Sequence, residues 1–541
     1  MNLAVLKKIR VVISILFFVS IGIIFLDYRN LVPAQIINAV LFLQFVPSIL
    51  KFLTVFSLVS AGGFFIVLLL TVLFGRVYCS TICPLGTMQD VIIFISKKLK
   101  IKKFFRFTNE KKISRYSILV LCLAFIPIGG LLLLNLLDPY SNFGRICTNL
   151  VKPGVVWANN VISAIMENYQ NYTLYPVEQK GVVLAVLVVP VVMLLLAGWF
   201  SLKYGRLYCN SVCPVGTLLG LVSKFSLFKI VIEENSCKGC GKCELACKSS
   251  CINKKTHEVD FGRCVGCMNC FSSCPDDAIK YKFAFGGKKE KSLPVTEKVD
   301  FNKRNFIIST SIYTLGVIGF ANAQKNSNGQ PGINAVYRKN AVSPPGSKSI
   351  SHFTLRCTAC HLCVSQCPTK VLQPSFLEYG FTGMMQPHLD YSKGFCNFDC
   401  NLCSTVCPNG AILPVLVENK KLVQLGVAKF VKENCVVHVK HTDCGACSEH
   451  CPTKAVNMVQ QPNGLFLPKV NEELCIGCGA CEHACPTKPY KAIYIEGNAI
   501  HKTAKKNIPK AEPVQAEKPA DRKADGKQSK KKEAPAEDFP F

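Results

Sequence analysis

The first 256 residues of this chain contain no histidine, and the first histidine is His257. A haem held by two histidines within a helical bundle is therefore excluded for this region, and with it a cytochrome b type of quinol oxidation. The long apolar runs of the region also lack internal charged residues, which leaves a proton channel or an ion pump without the groups that it needs. Any quinone site must therefore lie at a helix end or at an interface.

Acidic residues are also few, since 34 Asp and Glu stand against 63 Lys and Arg and the formal net charge is +29. Much of this excess lies in short loops beside apolar runs and in a C-terminal tail, and no nucleic-acid-binding module is recognisable. We therefore interpret the charge as a mark of membrane topology and expect no nucleic-acid partner.

Four charge-free apolar runs predict membrane spans at residues 11–26, 52–75, 117–137 and 181–200. The loop Lys97–Arg115 is short and strongly basic, so the positive-inside rule places it in the cytoplasm together with the N-terminus. The run Ala34–Leu50 contains Gln, Asn and Pro, and we expect it to be an interfacial or re-entrant segment on the outer side.

A further apolar run, Phe306–Ala323, follows the pair Lys303-Arg304. This segment resembles a twin-arginine export signal with a cleavage site at Ala323, and the plainer alternative is a fifth membrane anchor. Either alternative leaves the segment 231–290 in the cytoplasm and places the domain after the run in the periplasm. A buried helix that leaves the whole chain on the cytoplasmic side is the third alternative.

Cysteine is abundant, and 24 of the 31 cysteines fall into six quartets with short, regular spacing. A disulfide framework has no reason to keep this spacing, whereas C-x2-C-x2-C-x3-C followed by Pro is the bacterial ferredoxin pattern for a [4Fe–4S] cluster. Two quartets lie before residue 290: Cys237, Cys240, Cys243, Cys247 and Cys264, Cys267, Cys270, Cys274. Four more follow: Cys357, Cys360, Cys363, Cys367; Cys396, Cys400, Cys403, Cys407; Cys435, Cys444, Cys447, Cys451; and Cys475, Cys478, Cys481, Cys485. The sequence therefore predicts six [4Fe–4S] clusters.

The fourth cysteine of such a quartet ligates the cluster of a partner quartet. We expect the first unit to pair its two quartets in this way, and the C-terminal domain to pair its first quartet with its second and its third with its fourth. The eight-residue gap after Cys435 departs from the spacing of the other quartets and predicts an insertion in the binding loop. Cys357-x2-Cys360-His361 also matches the attachment pattern of haem c, but the same two cysteines are needed for a cluster, which disfavours the haem alternative.

Two further cysteine pairs belong to a duplicated motif. Gly75-Arg76-x-Tyr78-Cys79-x3-Cys83-Pro84 recurs 130 residues later as Gly205-Arg206-x-Tyr208-Cys209-x3-Cys213-Pro214. Cys79, Cys83, Cys209 and Cys213 suit a redox dithiol, a metal site shared between the two copies, or a structural turn in which Pro ends a helix and Cys packs beside it.

The four spans, the two C-x3-C-P motifs and the first two quartets resemble NapH-type membrane ferredoxins, which are related to NosR. Residues from about 300 resemble NapG-type polyferredoxins, so that the chain is similar to a fusion of the two. The resemblance implies transfer of electrons from quinol toward a periplasmic reductase or cytochrome partner. NosR also carries a flavin domain, which we do not identify in this sequence.

The sequence therefore predicts an α-helical membrane bundle with α+β ferredoxin domains, located in the bacterial cytoplasmic (inner) membrane. The expected domains are a transmembrane part (1–230), a two-cluster ferredoxin (231–290), a linker with the anchor or export segment (291–325), a four-cluster polyferredoxin (326–500) and a disordered tail (501–541). The expected function is that of an electron-transfer subunit rather than a stand-alone enzyme. The alternative is an accessory protein that matures or reactivates a metalloenzyme, in the manner of NosR.

Overall fold

The computed structural model describes residues 3–56, 58–101, 104–126, 130–178, 184–284 and 335–506. The predicted linker 291–325, with its apolar run Phe306–Ala323, lies outside the described residues, as does the chain after residue 506.

The N-terminal part is a bundle of mostly apolar helices. They are α1 (Leu3–Leu26), α2 (Ala34–Leu41), α3 (Phe45–Val55), α4 (Leu58–Phe74), α5 (Tyr78–Thr81), α6 (Pro84–Lys98), α7 (Lys112–Phe125), α8 (Leu132–Leu137), α9 (Pro139–Ile146), α10 (Lys152–Asn168), α11 (Leu184–Tyr204) and α12 (Pro214–Ser223). Two π-helical turns, Cys147–Val151 and Tyr208–Val212, lie between them. Proline opens α6, α9 and α12, where its missing N–H leaves no hydrogen bond unmade.

Two helices of the described part, Val5–Leu26 and Leu184–Tyr204, are long and apolar enough to cross a membrane. Helices α2 and α3 form a pair bent by 107°, which brings the number to three if the pair is one span. The expected count of four spans is therefore not confirmed. The predicted span 117–137 is not one continuous helix, because α7 ends at Phe125 and α8 begins only at Leu132. Pro127 and the pair Gly129-Gly130 lie between the two, and both residue types disfavour a continuous helix.

The first ferredoxin unit follows α12. Its strands β1 (Phe228–Ile232) and β4 (Ile279–Phe283) pair antiparallel, and β2 (Ile252–Asn253) pairs with β3 (Glu258–Val259). One short helix, α13 (Lys242–Ala246), follows its first cysteine loop. The buried core contains three cysteines, which pack with isoleucine side chains of β1 and β4 and with Phe271.

The described C-terminal domain (335–506) is built from short helices and three antiparallel strand pairs. The helices are α14 (Ile350–Thr354), α15 (Leu362–Ser365), α16 (Leu402–Thr405), α17 (Val417–Lys420), α18 (Val436–Lys440), α19 (Ala446–Glu449) and α20 (Ala480–Ala484). The paired strands are β5 (Leu372–Pro374) with β6 (Pro387–Leu389), β8 (Val456–Gln460) with β9 (Phe466–Val470), and β7 (Val423–Phe430) with β10 (Ile493–Thr503). Because Thr503 still pairs with Val423, the start of the tail at residue 501 was predicted too early.

The two cysteine-rich units contact opposite ends of α1. Near its N-terminus, the Lys7 ammonium donates to the Ser272 hydroxyl of the first unit at 2.8 Å. At its C-terminus, Ser365 and Gln366 of the C-terminal domain donate to the carbonyls of Phe25 and Ile24 at 2.7 and 3.1 Å. These carbonyls have no partner within the helix, so the C-terminal domain completes the hydrogen bonding of α1.

Candidate metal centres

The first ferredoxin unit brings its cysteines together in two sets, each drawn from both quartets. One cavity is lined by Cys237, Cys240, Cys243 and Cys274, and another by Cys247, Cys264, Cys267 and Cys270. These are the crossed sets that the spacing predicts. The Sγ atom of the additional Cys251 lies 3.5 Å from that of Cys247, within the same buried core.

The C-terminal domain also groups its cysteines across quartets. A cavity is lined by Cys435, Cys444, Cys447 and Cys485. In each of the other three sets, burial and then the neighbouring thiols raise the pKa of one central thiol, that of Cys363, Cys403 or Cys481. The thiols that act in this way are those of Cys357, Cys360 and Cys407 on Cys363; of Cys396, Cys367 and Cys400 on Cys403; and of Cys478, Cys475 and Cys451 on Cys481. Four thiols close to one another in each set fit a [4Fe–4S] cluster, which takes four thiolate ligands.

The gap after Cys435 contains α18, Val436–Lys440, and Cys435 still lies with Cys444 and Cys447 of its own quartet and with Cys485 of the partner quartet. His361, which follows Cys360, belongs to the segment that matches the attachment pattern of haem c. It is 1% exposed, and its two ring nitrogens lie 3.0 Å from the Asn149 amide nitrogen and 2.8 Å from the Met385 carbonyl. Both ring nitrogens of His361 therefore lie within hydrogen-bond distance of other protein groups, which indicates a structural role for this side chain.

Some of the cysteine sets contact one another, and some contact the helical bundle. Within the C-terminal domain, the Cys396 amide donates to the Cys478 carbonyl at 2.9 Å, which joins the second set to the fourth. The set that contains Cys360 lies nearest the helical bundle, since Cys360 packs in one apolar cluster with Phe25, Tyr140 and Phe143. In the first unit, Cys240 is exposed whereas Cys267 is buried beside the bundle. Each unit therefore has one set facing the bundle and another nearer its outer surface.

Between the two units lie the cysteines of the duplicated motif. Cys79, Cys83, Cys209 and Cys213 are each at most 4% exposed and share one core cluster with Tyr78 and Tyr208. After burial, the neighbouring Cys209 and Cys79 raise the pKa of the Cys83 thiol, and Cys209, Cys79 and Cys83 act on Cys213 in the same direction. The structure therefore brings both copies of the motif to one place.

Two arginines cross between the copies of the motif. The Arg76 guanidinium donates to the Cys209 carbonyl at 2.8 Å, and the Arg206 guanidinium donates to the Cys79 carbonyl at 2.6 Å. The close approach depends on glycine, because a Cβ at Gly86 or Gly216 would collide with the same carbonyls and with the arginine of the other copy. Both arginines are fully buried. The exchange of contacts gives the site an approximate twofold arrangement.

One carboxylate links this site to the first ferredoxin unit. Asp90 of α6 lies 2.9 Å from Arg206, 3.2 Å from Lys248 of the ferredoxin unit and 3.6 Å from Arg10 of α1. Burial opposes its ionisation, but the positive charges of Arg206 and Lys248 hold the pKa of Asp90 well below its ordinary value. Asp90 is therefore the common anion of three basic residues from three segments.

A buried polar path leads from the motif toward the C-terminal domain. The Tyr208 hydroxyl donates to the Leu137 carbonyl at 2.9 Å and lies 3.4 Å from the Asn142 amide nitrogen. Asn142 accepts from Arg145 at 2.8 Å. At Gly144, a Cβ would collide with the Cys360 carbonyl, so α9 lies directly against the first C-terminal quartet.

Sequence reasoning did not assign roles to Arg76, Arg206, Asp90 and Arg145. The repetition of Arg in both copies of the motif was the available signal for the first two. Asp90 and Arg145 lie outside any motif, and only the fold shows that Arg145 is buried and that Asp90 pairs with the buried Arg206 of the motif.

Family models described as 4Fe-4S binding domain match residues 56–102, 185–233 and 257–280, and those described as 4Fe-4S dicluster domain match 356–412 and 440–489. The first two ranges contain the duplicated motif. The chain is similar to the putative electron transport protein YccM of Escherichia coli (26% identity; 47% of this chain, 60% of YccM). It is also similar to the ferredoxin-type protein NapH of Haemophilus influenzae (24%; 45% and 62%) and to the methylamine utilization ferredoxin-type protein MauM of Methylophilus methylotrophus (31%; 25% and 62%). The chain spans less than two thirds of the length of each of these three relatives, and no solved structure matches it.

Proposed function

We propose that this chain is a NapH-type polyferredoxin that relays electrons across the membrane through six [4Fe–4S] sites. A quinone pool or a cytoplasmic donor supplies the electrons, and a separate oxidoreductase on the periplasmic side takes them. When bound, the clusters supply the one-electron chemistry, so that no catalytic side chain is needed.

One observation carries this proposal: the two ferredoxin units contact α1 at its opposite ends. Lys7 and Phe25 mark these contacts, and a rise of 1.5 Å per residue separates them by about 27 Å along the helix. This length is close to the thickness of the hydrocarbon core, about 30 Å. A helix of this composition that crosses the membrane holds the two units on opposite faces.

The basic loop Lys97–Arg115 supports the orientation. The Thr108 amide donates to the Ser250 carbonyl at 3.4 Å, and Arg263 donates to the Thr108 carbonyl at 2.5 Å. The loop therefore packs on the first ferredoxin unit. By the positive-inside rule, both belong to the cytoplasmic face and the C-terminal domain to the periplasmic face.

Sealed proteoliposomes that contain the full chain test the proposal. Ferricyanide is enclosed, dithionite is added outside, and potassium with valinomycin compensates the transferred charge. We expect the enclosed ferricyanide to be bleached by the wild type and by Cys147→Ala, which alters a buried cysteine outside the quartets. The variant Cys363→Ala removes a ligand from the set nearest the bundle and is expected to abolish the bleaching. Bleaching no faster than in protein-free vesicles would refute the proposal.

A further inference from the structure

Neither copy of the duplicated motif forms a four-thiol site alone, but the two copies together do. In each copy the first cysteine lies in a single helical turn and the second precedes the proline that opens a helix, with ψ of 115° at Cys83 and 119° at Cys213. The backbone therefore presents two thiols in the same way from each copy. The crossed contacts of Arg76 and Arg206 hold the copies together.

The four thiols lie in one buried cluster of the bundle. Among the described residues, no three His, Cys, Asp or Glu side chains converge closely enough to hold a single metal ion. The cysteine sets of the two ferredoxin units share this property, because each thiolate of a cubane binds a different iron at a separate corner. Cys79, Cys83, Cys209 and Cys213 also share one buried cluster, and the Arg76 guanidinium contacts both the Cys79 sulfur, at 3.9 Å, and the Cys209 carbonyl, at 2.8 Å.

Charge supports an anionic centre at this place. Arg76 is 0% exposed, and its hydrogen bonds go to the Asn210 side chain, to the carbonyls of Gly262 and Cys209, and to the Cys79 sulfur at 3.9 Å. Within the described part of the chain, no carboxylate forms an ion pair with it. A buried charge without a counter-charge is strongly destabilising. Four neutral thiols leave Arg76 in that state, whereas a cubane with four thiolates has a net charge of about −2 and balances it.

The position of the site also matters. Along α1, Arg10 and Ser14 contact the motif through the Ser80 carbonyl at 2.9 Å and the Thr87 hydroxyl at 2.9 Å. The first ferredoxin unit contacts α1 at Lys7, and the C-terminal domain contacts it near Phe25, about 17 Å beyond Ser14 at 1.5 Å per residue. The motif therefore lies between the two units.

From these observations we propose that Cys79, Cys83, Cys209 and Cys213 together bind a seventh cluster, a [4Fe–4S] cubane with two ligands from each copy of the motif. Its role as the intermediate electron carrier rests on the proposed relay. Its existence does not.

Iron and acid-labile sulfide, measured per chain on the anaerobically purified full-length protein, test this assignment. We expect Cys83→Ser and Cys213→Ser each to lower the iron content by about four atoms per chain, one cubane, relative to the wild type. Equal losses from the two variants are expected because each copy supplies half of the ligands. The matched control is Cys122→Ser, since Cys122 is also buried in the bundle and belongs to no quartet or motif. It should keep the wild-type iron content.

Electron paramagnetic resonance of the reduced protein separates a local effect from unfolding. The signals of the other clusters should keep their intensity in both variants, with one component missing. Unchanged iron in either variant would overturn the shared site, and a loss of two irons would overturn the cubane assignment. Where Cys83→Ser fails to fold, the spectrum of Arg76→Gln decides: a shifted component is expected, and a spectrum identical to the wild type would overturn the proposal. A wild type with the seventh cluster but without transmembrane bleaching would refute the relay and leave the site intact.

Discussion

Replacing Asp90 by Asn should loosen the first ferredoxin unit from the helical bundle. The Asp90 side chain is 12% exposed and lies within 3.6 Å of basic groups from Arg206, Lys248 and Arg10. Removing one partner of a buried ion pair costs about 3–5 kcal/mol, because the remaining charges stay buried without compensation. At about 1.36 kcal/mol per tenfold, local opening becomes between about a hundredfold and a few thousandfold more frequent.

Hydrogen exchange in detergent measures this opening at the Arg206 amide, which donates to the Lys248 carbonyl at 2.9 Å. The control is Glu473→Gln, whose partner Lys505 is 68% exposed, so that a change below about tenfold is expected there. The pKa of Asp90 is lower in the folded protein than in the unfolded chain, so the ionised carboxylate stabilises the folded state fully above the unfolded pKa of about 3.9. This stabilisation is lost only as the pH falls through the folded-state pKa. The increase in hydrogen exchange at the Arg206 amide caused by Asp90→Asn should therefore be constant between about pH 5 and 8. A change below tenfold at Arg206 would refute the reasoning.

Three further predictions concern the other contacts. Gly144→Ala should slow electron transfer across the membrane, because the new Cβ collides with the C-terminal domain, whereas Gly154→Ala, with nothing within 4 Å, should match the wild type in the proteoliposome assay. Burial lowers the pKa of Lys152 to about 8, so the unfolded state binds more protons between about pH 8 and 10. Protection of the C-terminal domain against proteolysis should rise over that range in the wild type and not in Lys152→Met. Cys247→Ser should lose one cluster's iron by elemental analysis, whereas Cys251→Ala, only 3.5 Å away, should lose none.

Regular spacing in the sequence was enough to predict the cysteine sets, because each quartet is local and its partner quartet follows nearby. The crossed grouping of Cys274 with the first quartet and of Cys485 with the third is present in the structure. The bent pair α2–α3 lies at the segment where Pro47 and polar residues led us to expect a re-entrant piece. The predicted span 117–137 is interrupted, since one helix ends at Phe125 and the next begins at Leu132, and hydropathy alone does not register such a break.

Long-range contacts were beyond sequence reasoning. Arg206 and Asp90 are 116 residues apart, and nothing in their local sequence shows that they form a buried pair. The same holds for Ser365, which donates to Phe25 across 340 residues and so attaches the C-terminal domain to α1. Such contacts follow from the packing of the bundle, and they determine where the ferredoxin units lie.

The central claim is that the two ferredoxin units lie on opposite faces of the membrane. One protease-accessible tag is inserted at Thr256, in the exposed turn between β2 and β3, and another is fused to the C-terminus. Both are digested in right-side-out vesicles before and after lysis. The account predicts cleavage of the C-terminal tag without lysis and protection of the Thr256 tag until lysis. The same response from both tags, whether cleaved or protected, would contradict it.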